Sequence, residues 1–379
     1  MKNHRKPALN ENRILAFSRV PLYIETICVS YNYPQSDREM SVEIEKQREM
    51  EINIKPLVPY AFVLMFIITI FGCNISSEED NGRSSSQQTP VYITLISHNE
   101  TDDERYGGYD TFEGYIQFRD ALIRIADMVE AYQASWDFQT DWRFLEAARK
   151  FETSDVMEST GGKNILMYLH ENKGVQIDAH SHEEGGYNYA DVAYLIESLG
   201  VEPSGVVGGF IYDSPENDWE RFRDPLQGQQ YPEYTWQADI LWGAASLGHQ
   251  GEDDLCSGVW RPQDIYNFYV DDPEQRVMYI GNCNGLEGLE DLKKLFEDIE
   301  NEDTPNAQIY TVTPIFFELE FVTKGEEEYE EFEKMLQELD TYVQEGKLIW
   351  ATLNQMKTIW HEQFHSTPNI YCPSITPER

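Results

Sequence analysis

The chain has 379 residues and is strongly acidic, with 68 Asp and Glu against 29 Lys and Arg and a formal net charge of −39. Binding to nucleic acid or to an anionic membrane surface needs clustered Lys and Arg, so this composition argues against both as partners. The hydrophobic fraction of 41% is enough to build a core. The length therefore suits one large α/β domain or two smaller ones.

An uncharged run at residues 57–73 follows Lys55 and ends at Cys73. It is shorter than the roughly 20 apolar residues that span a bilayer, and its pattern is typical of a secretory signal. Its last four residues, Ile-Phe-Gly-Cys, resemble a bacterial lipobox, which implies lipidation of Cys73. An uncleaved membrane anchor is the alternative. Both interpretations predict an extracytoplasmic protein that touches the membrane only through this N-terminal segment.

The segments around this signal are expected to lack a stable fold. Such a signal normally begins near the start of a protein, so we expect residues 1–49 to be an extension and residues 50–73 to be the signal itself. Residues 74–90 are polar and rich in Ser, Glu and Gln, which is typical of a flexible tether.

From residue 91 onward, short β-prone runs alternate with amphipathic helical stretches. Strands are predicted at residues 91–97, 136–140, 175–179, 206–212, 240–247, 277–280, 308–319 and 348–353. Helices are predicted around residues 116–129, 144–151, 164–172, 189–199, 286–299, 327–345 and 355–364. Strands separated by helices imply a parallel sheet, and we predict an α/β fold: an irregular (β/α) barrel of about seven strands forming a single domain over residues 91–379. Residues 227–234 are predicted to be a surface loop near its mouth.

Polar residues at the predicted strand ends indicate one shared site, because functional side chains of such barrels gather at the C-terminal ends of the strands. His180 and His182 are two residues apart on an extended segment, so their side chains point to the same face. His98 and Asp141 follow the two preceding strands. Imidazoles with carboxylates beside them are ligands that Zn²⁺ and similar ions prefer, which predicts a divalent metal, with zinc as the first candidate. A solvated polar turn is the alternative.

Three segments resemble motifs of the polysaccharide deacetylase superfamily of glycoside hydrolase/deacetylase-type barrels. In that family a first strand ends in Thr-Phe-Asp-Asp, a later strand ends in His-Ser/Thr-x-x-His, and a third motif contains Arg-x-Pro. Here residues 97–100 (Ser-His-Asn-Glu), 180–184 (His-Ser-His-Glu-Glu) and 258–262 (Gly-Val-Trp-Arg-Pro) occupy the corresponding places. The resemblance covers most of residues 91–360. It implies hydrolysis of an acylated carbohydrate, or of another acylated small substrate, with a metal held by Glu100, His180 and His182 and with His98 beside them.

The sequence departs from the family pattern at the positions of the catalytic base and of one metal ligand. Asn99 stands where the family has a catalytic Asp, and an amide cannot accept a proton as a base. Glu184 stands where the family has its second metal-binding His, and residues 310–314 carry no counterpart of a late catalytic His. The candidate bases are Asp141, Glu183, Glu184 and His98. Arg261 is expected to orient one of them or to hold an anion, and His249 is a candidate late ligand or general acid.

Two other functions stay open at this point. A degenerate barrel could capture glycans through its aromatic side chains without turnover, although most of its tryptophans are expected in the core. Asp-x-His-x-His at residues 178–182 also resembles amidohydrolase-type and phosphoesterase barrels. There the motif ends the first strand, whereas here at least two strand–helix units precede it. Of Cys256, Cys283 and Cys372, at most one pair can form a disulfide.

Overall fold

A curved sheet of eight strands organises the part of the chain that the computed structural model describes, which is residues 90–99, 108–209, 224–243, 256–264, 267–283, 289–304 and 308–372. All of them lie in one compact unit that spans residues 82–379. The predicted extension, signal, lipidation at Cys73 and tether lie outside the described residues.

The strands, in chain order, are β1 (Val91–Ile93), β2 (Leu95–Asn99), β3 (Trp136–Thr140), β4 (Gln176–His180), β5 (Val206–Gly208), β6 (Leu226–Gln227), β7 (Thr235–Trp236), β8 (Ile240–Trp242), β9 (Val259–Trp260), β10 (Met278–Ile280), β11 (Tyr310–Val312), β12 (Ile315–Phe316) and β13 (Leu348–Trp350). The large sheet has the order β12-β2-β3-β4-β5-β8-β10-β9, and all of its pairs are parallel except β9 with β10. Strand β1 lies between β11 and β13 in a smaller parallel sheet.

The helices are α1 (Phe112–Ala131), α2 (Trp142–Phe151), α3 (Ser154–Met157), α4 (Ile165–Met167), α5 (Tyr189–Ser198), α6 (Glu290–Glu300), α7 (Glu318–Thr323), α8 (Glu326–Gln344) and α9 (Leu353–Gln363). A π-helical turn, Tyr168–Asn172, follows α4. The alternation of parallel strands and helices confirms the predicted fold class, an irregular (β/α) barrel that here is open and curled. No helix in the described ranges is both long enough and apolar enough to cross a membrane.

The two faces of the large sheet differ in chemistry. On β3, Trp136 and Phe138 pack against the helix layer, where Phe138 meets Phe144 of α2. Asp137 and Gln139 alternate with these two aromatic residues and therefore point to the inside of the curved sheet, since neighbouring strand residues face opposite sides. Both are fully buried. The barrel interior is thus lined partly by polar side chains, and its main apolar core lies between the sheet and its helices.

Helix α9 lies against the N-terminal end of the large sheet. The first backbone amide of the helix, Leu353 N, donates to Asp137 Oδ1 at 3.2 Å, and Thr94 Oγ1 donates to Asp137 Oδ2 at 2.6 Å. Asp137 stands near the start of β3, and Trp360 of α9 is fully buried. The C-terminal strand ends, where the histidines are, form the opposite end of the barrel.

The predicted loop at residues 227–234 connects the short antiparallel strands β6 and β7. Its backbone is fixed by Asp191 of α5, which is fully buried. The Asp191 carboxylate accepts hydrogen bonds from the backbone N–H groups of Asn188, Gln229, Gln230 and Tyr231, at 2.9–3.0 Å. A side-chain bond from Gln230 Nε2 to the Gly186 carbonyl, at 3.1 Å, ties this hairpin to the segment that follows His182.

Several elements differ from the prediction. The single strand expected at residues 91–97 is two strands, β1 and β2, which belong to different sheets. The single strand expected at residues 308–319 is split into β11 and β12, followed by α7, because the chain steps at Pro314 from pairing with β1 to pairing with β2. The antiparallel strand β9 was not predicted, since two residues are too few to show a periodic pattern. A disulfide joins Cys256 to Cys372, and Cys283 is a buried free thiol.

Candidate functional site

Three histidines meet at the C-terminal ends of β2 and β4. His98 is the penultimate residue of β2, and its ring centroid lies 4.6 Å from that of His180, the last residue of β4. The His180 and His182 rings are 4.9 Å apart, and their Nε2 atoms are separated by 3.1 Å. The structure therefore brings together the three histidines that the sequence assigned to one site.

The end of the neighbouring strand β5 makes room for the His180 ring. A Cβ atom at Gly209 would lie 2.3 Å from His180 Nε2, and φ of Gly209 is +72°, which non-glycine residues rarely adopt. A Cβ at Gly208 would lie 1.8 Å from Gln139 Oε1, which in turn is 3.5 Å from His180 Nδ1. His180 is fully buried. The glycine pair 208–209 is thus part of the site, although sequence reasoning missed it; the adjacent glycines after two valines were the available signal.

His98 is held between His180 and an aromatic wall. The ring of Trp242 meets the His98 ring edge-on at 5.1 Å, and that of Phe317 does so at 6.2 Å. Trp242 is fixed in turn, because its Nε1–H donates to Thr313 Oγ1 at 2.9 Å. Trp242 is therefore a buried wall of the site, while Trp136 and Trp260 are buried elsewhere in the core.

Two buried carboxylates lie deeper on the inner face. Asp178 precedes His180 by two residues, so both point inward from β4, and its Oδ1 accepts from Ser204 Oγ and from Gln176 Nε2. Burial raises the pKa of Asp178 to about 7, although these hydrogen bonds act in the opposite direction. Burial, and then the charge of Asp178, raise the pKa of Asp137 well above its usual range. The pair therefore retains protons at a pH where exposed carboxylates have lost them.

The histidine pair fits a divalent metal ion. Two imidazoles bound to one tetrahedral zinc ion, at about 2.0–2.1 Å each, place their nitrogens about 3.3 Å apart. The 3.1 Å between the Nε2 atoms of His180 and His182 suits that arrangement and also suits an N–H···N hydrogen bond. Within the described ranges, no group of three or more His, Cys, Asp or Glu side chains is arranged to hold a metal. Two predicted participants, Glu100 and the Glu184 side chain, lie outside the described part of the chain.

Asp141 lies at the same rim but serves as a helix cap. It is the N-cap of α2, and its side chain accepts from Phe144 N at 3.0 Å. Burial, and then the charge of Asp141, raise the pKa of Tyr109, whose hydroxyl donates to Asn99 Oδ1. Asn99 is therefore tied to Tyr109 in the helix layer, and the inward-facing residue at the end of β2 is His98. Glu183, another candidate base, has φ +58° and donates its backbone N–H to Ser181 Oγ at 3.1 Å.

The structure does not bring Arg261 to the histidines. Arg261 follows β9, and because β9 is antiparallel to β10, the residue after it lies at the end of the sheet opposite to the residues after the parallel strands. There Arg261 forms a two-pronged ion pair with Asp271, at 3.1 and 2.8 Å, and its Cζ lies 5.4 Å from the ring centre of Trp360 in α9. The predicted role of Arg261 at the site is corrected accordingly. His249 lies outside the described residues.

No protein-family model matches the chain, and no curated protein sequence matches it. Solved structures with a similar chain path include 4-α-glucanotransferase from Thermococcus litoralis, at 12% identity and a TM-score of 0.40. That match covers 74% of this chain but only 41% of the glucanotransferase. A glycoside hydrolase/deacetylase from Parabacteroides distasonis matches at 12% identity and a TM-score of 0.44, covering 72% of this chain and 71% of that one. A polysaccharide deacetylase from Pseudomonas aeruginosa PAO1 matches at 12% identity and a TM-score of 0.43, covering 72% and 91%.

Proposed function

We propose that this protein is a divalent-metal-dependent hydrolase of the polysaccharide deacetylase type that acts on an acylated carbohydrate. The observation that carries the proposal is the convergence of His98, His180 and His182 at the C-terminal strand ends, with the Nε2 atoms of His180 and His182 3.1 Å apart. This is the end of the barrel where such folds carry their chemistry.

His180 and His182 would hold the metal, with Glu100 and His98 as the further candidate ligands and zinc as the first candidate ion. When bound, such an ion lowers the pKa of a water molecule to about 7 and polarises an acyl carbonyl. Gln139 and the glycine pair 208–209 set the position of the His180 ring. Glu183 and Asp141 stand at the same rim as candidate proton acceptors, and Trp242 closes the inner wall behind His98.

We also propose that the protein works outside the cytoplasm, held to a bacterial membrane by a lipid on Cys73. The Ile-Phe-Gly-Cys pattern at residues 70–73 supports this location. The disulfide between Cys256 and Cys372 supports it independently, because disulfides persist mainly in oxidising compartments.

Metal content is the direct test. The purified protein is loaded with Zn²⁺, dialysed and measured by elemental analysis beside a His180→Ala/His182→Ala double variant. His361→Ala is the matched control, since His361 is an exposed histidine of α9. We expect about one equivalent of zinc in the wild type and in the control, and none in the double variant. Release of acetate from acetylated sugars should follow the metal content.

The alternatives predict different results. Oligosaccharide binding by a protein that takes up no metal would contradict the hydrolase proposal and favour a glycan-binding lipoprotein. Metal-dependent hydrolysis of a phosphoester or a cyclic amide, with acetylated sugars left intact, would favour the amidohydrolase or phosphoesterase interpretation.

A further inference from the structure

A groove lies beside the histidine site, lined by residues of β12 and of helices α6, α7 and α8. Its volume of about 760 Å³ is within the range of small-molecule pockets, roughly 300–1,000 Å³. Its apolar lining includes Phe316, Phe332 and Met335. Nothing in the proposed hydrolysis of a single acyl group uses this space.

Phe317 connects the groove to the histidines. It lines the groove, and its ring meets the His98 ring edge-on at 6.2 Å. The pairing of Phe316 with Ser97 places Phe317 level with His98 on the adjacent strand. Phe316 is buried against Trp136 and Phe332, whereas Phe317 is 37% exposed. A partly exposed aromatic ring therefore lies between the groove and the histidines.

The charges around the groove disfavour an anionic occupant. Five glutamates and three lysines line it. The ammonium group of Lys324 lies 3.3 and 3.0 Å from the carboxylates of Glu320 and Glu328, and Lys293 is paired at 3.1 Å with Glu290 and with Glu338. Because these lysines already have carboxylate partners and acidic groups are in excess, a polyanionic chain would be repelled. Hydroxyl groups can bond to both kinds of side chain.

We propose that this groove binds the neutral glycan chain of the substrate and that Phe317 carries the sugar ring next to the histidines. A pyranose ring has an apolar face and hydroxyl edges, which match an apolar floor of Phe and Met side chains and a charged rim. Phe317 lines the groove and its ring also meets the His98 ring, so a chain bound in the groove would extend toward the histidines. The catalytic half of this assignment rests on the proposed function, whereas binding in the groove is measurable without turnover.

The test is calorimetric titration of the purified protein with neutral β-1,4-linked tetramers of N-acetylglucosamine, glucose and xylose, with their monomers, and with tetragalacturonate as the anionic comparison. At least one neutral tetramer should bind about tenfold or more tightly than its monomer and than tetragalacturonate. Phe317→Ala and Met335→Gln should each weaken that binding about tenfold, the usual effect of removing a buried binding contact. Ile349→Ala is the matched control, because Ile349 is 42% exposed on β13 and does not line the groove.

The groove assignment is overturned if no neutral tetramer binds more tightly than its monomer, or if tetramer binding is the same in Phe317→Ala and Met335→Gln as in the wild type. Failure of the hydrolase proposal looks different. Tetramer binding would then still depend on Phe317 and Met335, while no acetate is released from the acetylated tetramer in the presence of zinc.

Discussion

The glycine at the end of β5 allows a sharp test of how the site is built. Gly209→Ala places a methyl group 2.3 Å from His180 Nε2, at a position where φ is +72°. His180 is fully buried, so its ring has little room to move away. Contacts of carbon with other heavy atoms are normally about 3.5–4.0 Å. To reach that distance, either the His180 ring or the β5 backbone has to move by roughly 1 Å or more.

Gly346→Ala is a matched control, because φ of Gly346 is +73° and a Cβ there meets no atom within 4 Å. The control carries only the backbone strain of a left-handed residue, about 1–2 kcal/mol. Gly209→Ala adds overpacking, which typically costs about 1–3 kcal/mol. We therefore expect Gly209→Ala to lower the free energy of unfolding by about 1–3 kcal/mol more than Gly346→Ala does, as measured by urea titration at constant pH.

Metal binding gives the second measurement on the same two variants. Displacement of the His180 ring should lower zinc affinity by about 100-fold or more, since loss of a supporting contact alone lowers it about 10–100-fold. Gly346→Ala should bind zinc as the wild type does. Equal destabilisation by the two substitutions, together with unchanged zinc affinity in Gly209→Ala, would refute the reasoning that Gly209 exists to seat His180.

Four further predictions concern the framework of the domain. Asp191→Ala should destabilise the protein by about 3–5 kcal/mol and expose residues 227–234 to proteolysis, because four backbone N–H groups lose their acceptor. Asp191→Asn keeps one acceptor oxygen and should have a smaller effect. The pKa values of Asp137 and Asp178 are raised in the folded protein, so these two groups hold protons more tightly there than in the unfolded chain. Their contribution to stability is fully present below their unfolded pKa of about 4 and is lost as pH rises through the folded values, about 7 for Asp178. Urea titrations at pH 5 and pH 8 should show a smaller fall in Asp137→Asn than in the wild type, whereas an unchanged fall would contradict the assignment; Asp127→Asn, at an exposed site, should keep the wild-type fall. Replacement of both Cys256 and Cys372 by Ala should lower the free energy of unfolding by about 2–5 kcal/mol, because the bridge joins residues 116 positions apart. Iodoacetamide mapping by mass spectrometry should find Cys283 modified only after unfolding, since burial raises the pKa of its thiol.

The strand positions followed from sequence because the alternation on β3 is plain: Trp136 and Phe138 alternate with Asp137 and Gln139. The alternation alone could not show that the polar half is buried. In an isolated strand that half would face solvent, whereas here it is buried on the inner face of the curved sheet. The buried polar interior is thus a property of the curved sheet, and no local pattern encodes it.

The spacing of His180 and His182 was sufficient to predict that both side chains share a face. The contacts of the histidines with Gly209, Trp242 and Phe317 were not predictable, because they depend on which strands lie side by side, and strand order is set by pairing over long sequence distances. Arg261 was placed at the wrong end for a related reason. The location of Arg261 depends on the direction of the two-residue strand β9, and a strand this short has no sequence pattern from which its direction can be predicted.

The pairing of β1 has a consequence for how the chain reaches its native state. This first strand of the sheet system is flanked by β11 and β13, and Asp137 receives the amide of Leu353 from 216 positions later. Contacts this distant in sequence form slowly, because the chain loses the entropy of a long loop before the contacts stabilise it. The domain therefore cannot complete its folding from the N-terminus as it is synthesised, and closure waits for the last strand. A chain shortened before Leu348 would leave one edge of β1 open and Asp137 without the amide of α9.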